Sequence, residues 1–84
     1  MNNSLSLLFY IKRSKVDRNK KANIYLRITV NGKRAELSIK RKVSLDKWSS
    51  SAGKVKGFSS KAQEINQYID LISNKINKIH QQFI

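Results

Sequence analysis

Eighty-four residues with no cysteine, no proline, one histidine and a net charge of +13 describe one small domain with a modest core. Without cysteine there are no disulfide staples and no Cys-based zinc site, and the lone His80 gives no basis for a His-rich metal site. The basic excess is one-sided: residues 1–60 hold fifteen basic and three acidic side chains, residues 61–84 three and two. Such a field favours a polyanionic partner, nucleic acid ahead of an anionic membrane surface.

Residues 5–13, LSLLFYIKR, are rich in β-formers and predict a first strand. Leu5, Leu7, Phe9 and Ile11 share one face; Leu8, Tyr10 and Lys12 share the other. The apolar run 5–11 is too short to span a bilayer. Its charges follow rather than precede it, the wrong order for a secretory signal. With Met1 in front, the run reads as the genuine start of a cytoplasmic protein, and the absence of cysteine fits a reducing compartment. Residues 14–22, SKVDRNKKA, read as a basic polar loop.

The second strand is predicted over residues 23–30, where Ile24, Leu26, Ile28 and Val30 alternate with Tyr25, Arg27 and Thr29. Asn31-Gly32 follows. An Asn-Gly step between alternating runs is a strong hairpin signal, because a type I′ turn needs positive φ at both central residues. A two-residue turn also fixes the register. Val30 then pairs with Lys33, Ile28 with Ala35, Leu26 with Leu37 and Ile24 with Ile39, which matches apolar with apolar after the first pair. On the other face Thr29 meets Arg34, Arg27 meets Glu36, and Tyr25 meets Ser38. The third strand is expected over residues 33–43.

Ser44 is placed to cap a short turn over SLDKW, and Trp48 reads as a hydrophobic anchor. Residues 49–57 read as a loop carrying Lys54 and Lys56. A helix is predicted over residues 60–82, opened by a capping box of Ser60 and Gln63. Ala62, Ile65, Ile69, Ile72, Ile76, Ile79 and Phe83 make its apolar stripe. The first half of the stripe is long enough to cover the sheet, and its last turns overhang. The stripe also permits dimerisation, although burial against the chain's own sheet is the simpler use.

The fold class that follows is α+β: a three-stranded antiparallel sheet, the second strand central, packed on one face by a C-terminal helix. Pairing Ile11 with Ile24 and Phe9 with Leu26 keeps the core residues on the helix side. The opposite face stays open. It displays Tyr10, Lys12, Tyr25, Arg27, Thr29, Arg34, Glu36, Ser38, Lys40 and Lys42, with Leu8 beside them. Arginine bonds guanine edges bidentately, Lys, Ser, Thr and Tyr bond phosphates, and a β-ribbon fits the major groove of B-DNA. A merely solvated face would not carry two tyrosines and a leucine, nor so many like charges against one acid. Lys15, Arg18, Lys20, Lys21, Lys54 and Lys56 are candidates for phosphate contacts at the flanks. No paired carboxylates, nucleophile–histidine set or glycine-rich phosphate loop is present, so the expectation is binding without catalysis or cofactor.

The segments NIYLRITVNGKRAELSI, VSLDKWSSSAGKVKG and the helical AQEIN resemble the N-terminal arm-DNA-binding domain of tyrosine-type site-specific integrases, above all those of Bacteroides-like mobile elements. The resemblance runs from Leu5 to about Asn74. It implies a three-stranded sheet backed by a helix, with the sheet face entering the major groove of arm-type sites. It places Tyr25, Arg27, Thr29, Arg34, Glu36, Ser38 and Lys40 on the DNA side and makes Trp48 structural. It also implies a non-catalytic domain of a longer bacterial recombinase. Its partners would be double-stranded DNA and, in the full-length protein, other integrase protomers, with no membrane. Two departures stand out: Lys20-Lys21 and Lys40-Arg41 lie where relatives often have glycine and Thr-Gly. Two other classes of function compete. One is an RNA-binding sheet that stacks bases on Tyr10 and Tyr25; the other is a protein-interaction module built on the helix stripe.

Overall fold

The computed structural model describes residues 4–82. In chain order they form β1 (Leu5–Val16), β2 (Lys21–Val30), β3 (Lys33–Ser44), a 3₁₀ turn (Leu45–Lys47), β4 (Trp48–Ser49), β5 (Lys54–Val55) and α1 (Ser60–Gln81). The main sheet is antiparallel in the order β1-β2-β3, and β4 and β5 make a separate short hairpin. The expected α+β architecture holds. Phe83, the last member of the helix stripe, lies outside the described residues.

The hairpin register is the expected one from Val30↔Lys33 to Tyr25↔Ser38. Asn31 and Gly32 both take positive φ (51° and 84°), as a primed turn demands. Beyond Tyr25 the register slips: the next pair is Asn23↔Lys42, so residues 39–41 of β3 stand against Ile24 alone. The expected Ile24–Ile39 pair therefore gives way to a bulge. Lys40 sits at its centre in the left-handed region (φ 63°), with its N–H donated to Ser38 Oγ at 3.1 Å. Two extra residues preserve the alternation, so Ile39 and Val43 both still face the core.

β1 pairs with β2 as predicted, Phe9↔Leu26 and Ile11↔Ile24 included. The connection after it is shorter than the sequence suggests. β1 runs on to Val16 and β2 starts at Lys21, leaving a turn at residues 17–20 in place of a loop over 14–22. Asp17 organises this turn. Its backbone pairs with Lys21 and Lys20, and its Oδ1 accepts the N–H groups of Asn19 (2.9 Å) and Lys21 (3.0 Å). Lys20 closes it at φ 60°.

The core lies between the sheet and a cover made of α1 and the β4–β5 hairpin. Ile24 and Leu26 are fully buried at its centre, joined by Phe9, Ile39, Val43, Trp48, Val55, Ala62, Ile65 and Ile69. The segment read as a loop after Trp48 is thus part of the cover. Asn66 fixes it to the helix: its Oδ1 accepts Val55 N–H at 2.9 Å and its Nδ2 donates to Val55 C=O at 3.0 Å.

The helix cap lies one residue earlier than predicted. Ser59, with extended backbone, accepts the N–H of Ala62 at 3.1 Å, while Gln63 donates its side-chain amide to Phe58 C=O. Ser44 precedes the 3₁₀ turn without a side-chain cap bond. The apolar face is incompletely covered at the Asn-Gly end. α1 lies against β1 and β5, so Leu37, a predicted core residue on β3, is 46% exposed. Ile72 and Ile76 are half-buried against the core, whereas Ile79 is exposed, which leaves the last turn overhanging.

Candidate nucleic-acid interface

The pleat and the register arrange the open face as transverse rows, one residue from each strand. Ser6, Thr29 and Arg34 form the row nearest the Asn-Gly turn; Leu8, Arg27 and Glu36 the next; Tyr10, Tyr25 and Ser38 the third. Asn23 and Lys42 follow beyond the bulge.

The middle rows are tied together. Arg27 donates through Nε (3.3 Å) and Nη2 (3.1 Å) to Glu36 Oε2, and the Tyr10 hydroxyl donates to the same oxygen. The Arg27 guanidinium also lies 5.2 Å from the Tyr10 ring centre. Tyr10 and Tyr25 stack at 5.8 Å between centroids, and Lys12 Nζ caps Tyr25 at 4.4 Å. The order Lys12–Tyr25–Tyr10–Arg27 is therefore a cation–aromatic ladder lying along the face. It fixes long side chains that would otherwise lose rotamer freedom on binding. The Arg27–Glu36 pair is partly exposed, 34% and 41% by side chain. Such pairs contribute on the order of 0.2–1 kcal/mol to stability, so the value of this one is orientation. Arg34 has no salt bridge among the described residues and stays available at the turn end.

Of the remaining candidates, Lys40 projects from the bulge and Lys42 is held by Asp17 Oδ2 at 3.1 Å. The Asp17 carboxyl lies below the usual aspartate range, first because it accepts the Lys21 N–H and then through Lys42. Lys15 extends β1 rather than lying in a loop, and Arg18, Lys20 and Lys21 surround the Asp17 turn. Lys54 and Lys56 are on the other side of the molecule. Lys54 pairs with Asp70 of α1 at 3.3 Å, and the Lys56 N–H donates to Lys47 C=O at 2.6 Å.

The residues that sequence reading missed are those whose role needs the third dimension. Asp17 and Asn66 bond backbone rather than repeat with a period, and two-residue strands such as β4 and β5 leave no alternation to read. Among the described residues no group of His, Cys, Asp or Glu converges to hold a metal ion. Among the described residues no helix is long and apolar enough to cross a membrane.

A family model described as an arm DNA-binding domain matches residues 9–84, and the chain belongs to that family. No curated protein and no solved structure matches it.

Proposed function

From its membership of the arm DNA-binding family, we propose that this domain reads duplex DNA in the major groove with the open face of β1-β2-β3, anchoring a tyrosine-type integrase at arm-type sites during DNA integration and recombination. The observation that carries this reading is the pre-ordered cation–aromatic ladder Lys12–Tyr25–Tyr10–Arg27, flanked by the free Arg34. Three strands at about 4.8 Å spacing put the outer two roughly 10 Å apart. That width suits a groove about 12 Å across. Arg27 and Arg34 sit on adjacent rows and are the residues able to make bidentate bonds to guanine. Thr29 and Ser38 offer hydroxyls to bases or phosphates. Lys40, Lys42 and the lysines of the Asp17 turn meet the backbone.

The same ladder argues against single-stranded RNA as the partner. The tyrosine faces are already stacked on each other and capped by Lys12 and Arg27, so they are poorly placed as base platforms.

The test is a titration of labelled element-end duplex and a scrambled duplex with Arg27→Ala and Arg34→Ala at fixed salt. Each variant is expected to lose about 5- to 150-fold on the cognate duplex, the equivalent of about 1–3 kcal/mol for a bidentate base contact, and far less on the scrambled one. Equal losses on both duplexes would remove base readout from these residues.

A further inference from the structure

Five lysines line one cleft at the Asp17 end of the sheet, between the end of β3 and the start of α1. Lys21 comes from the start of β2, Lys42 from the end of β3, Lys47 from the 3₁₀ turn, Lys56 from just after β5, and Lys61 from the first turn of α1. Among the described residues no acidic side chain lines it. Three of these stretches are brought together by backbone bonds, and the first turn of α1 closes the cleft beside them. Lys21 pairs with Ser44 across the β2–β3 ladder, Leu45 N–H donates to Lys20 C=O at 3.2 Å, and Lys56 N–H donates to Lys47 C=O at 2.6 Å. Lys42 is already paired with Asp17, but Lys21, Lys47, Lys56 and Lys61 have no salt-bridge partner among the described residues. Like charges lining one place repel. Their convergence is explained if an anion neutralises them.

We propose that this cleft is a second phosphodiester-binding site, which grips the DNA backbone where the duplex runs off the Asp17 end of the sheet. It rests on the duplex-binding reading above, and extends the contacts of Lys21 and Lys42 to Lys47, Lys56 and Lys61, which lie outside the sheet face. The cleft opens beside β3, an edge strand, at the rows that end in Lys42 and Lys21, so the open face and the cleft form one continuous basic track. Ammonium groups on flexible stems suit phosphate oxygens as point charges. The cleft therefore adds affinity and salt dependence without adding base preference.

The experiment uses the whole chain with Lys47→Gln/Lys61→Gln, both exposed positions outside the face residues. The control is Lys75→Gln/Lys78→Gln, which removes the same charge from the far half of α1. Binding to cognate and scrambled duplexes is measured across a salt series. Losing two phosphate contacts lowers the slope of log K against log salt by about 1.8. The cleft variant is expected to show that drop equally on both duplexes, while the control keeps most of the slope. A cleft variant whose slope matches that of the control overturns the proposal, because the effect is then net charge alone. The face reading is scored separately by the cognate-specific loss in Arg34→Ala, so either reading can fail while the other stands.

Discussion

Leu26 and Arg27 are neighbours on β2, yet each belongs to a different protein surface. Leu26 is fully buried among Phe9, Ile39 and the α1 isoleucines, while Arg27 lies across from Glu36 on the open face. The one-residue step turns the chain from stability to recognition, because alternate residues of a strand point to opposite faces. Among the described residues the core face contains no buried polar or charged side chain, and the open face contains the cation–aromatic ladder. Separation of this kind predicts that damage to one face should leave the other's property intact.

The largest expected effect is on the core side. Leu26→Ala should destabilise the fold by about 2–5 kcal/mol through lost transfer energy and the cavity left behind. That is a large share of the stability of a domain this small, roughly 0.05–0.15 kcal/mol per residue. Urea denaturation would show it as a lower midpoint with an unchanged slope. At temperatures where the variant is still folded, DNA affinity should match that of the parent. Arg34→Ala is the mirror experiment. Its loss of cognate DNA binding should come with a change in stability within about 0.5 kcal/mol, because it is an exposed position outside any described network. A melting shift as large as that of Leu26→Ala would show that the two faces are not independent.

How much of this division was legible beforehand depends on the kind of signal. Period-two alternation and Asn31-Gly32 determined the sheet, the hairpin register as far as Tyr25–Ser38, and the row partners Arg27–Glu36 and Thr29–Arg34. Local rules also placed the helix within a residue. The same rules misplaced Leu37, since alternation says which face a residue takes but not whether the cover reaches it. They missed the bulge at residues 39–41, because Lys40 in the left-handed region leaves no mark in an alternating pattern. The stacking of Tyr10 on Tyr25 and the five-lysine cleft both needed strand order and backbone closure. Neither is encoded within any single window of sequence.

Lys40 is where the two faces make conflicting demands. At φ 63° a lysine carries the Cβ strain that glycine avoids. Lys40→Gly relieves about 1–2 kcal/mol of that strain. It returns about 0.4–1 kcal/mol through the greater freedom of the unfolded chain. The net expectation is a gain of roughly 1 kcal/mol in stability, read as a raised urea midpoint. The same substitution deletes a cation beside the reading surface, so the salt slope of DNA binding should fall by about 0.9 if Lys40 contacts a phosphate. Opposite signs in the two measurements would mark Lys40 as a residue kept for its charge against its backbone. A stability gain with no change in salt slope would place it outside the interface.

The smallest effect is at the Asp17 turn, and its sign follows from the carboxyl. Asp17 is held below the usual aspartate value by the Lys21 N–H and then by Lys42. A depressed folded value means that the charged form favours the native turn. Its contribution is present in full above the unfolded value of about 3.9 and fades as pH falls through the lower folded value. Acidification should therefore loosen the β1–β2 turn, with the Lys21 and Asn19 amides moving together at a midpoint below that unfolded value. Lys42 would lose its partner in the same step. An amide-detected pH titration checks this, and a midpoint at or above that value would mean that the turn gains nothing from the charge. Asp17→Asn keeps an acceptor for the backbone but carries no charge toward Lys42. It should hold the turn at neutral pH and abolish the acid transition, which assigns that transition to this carboxyl.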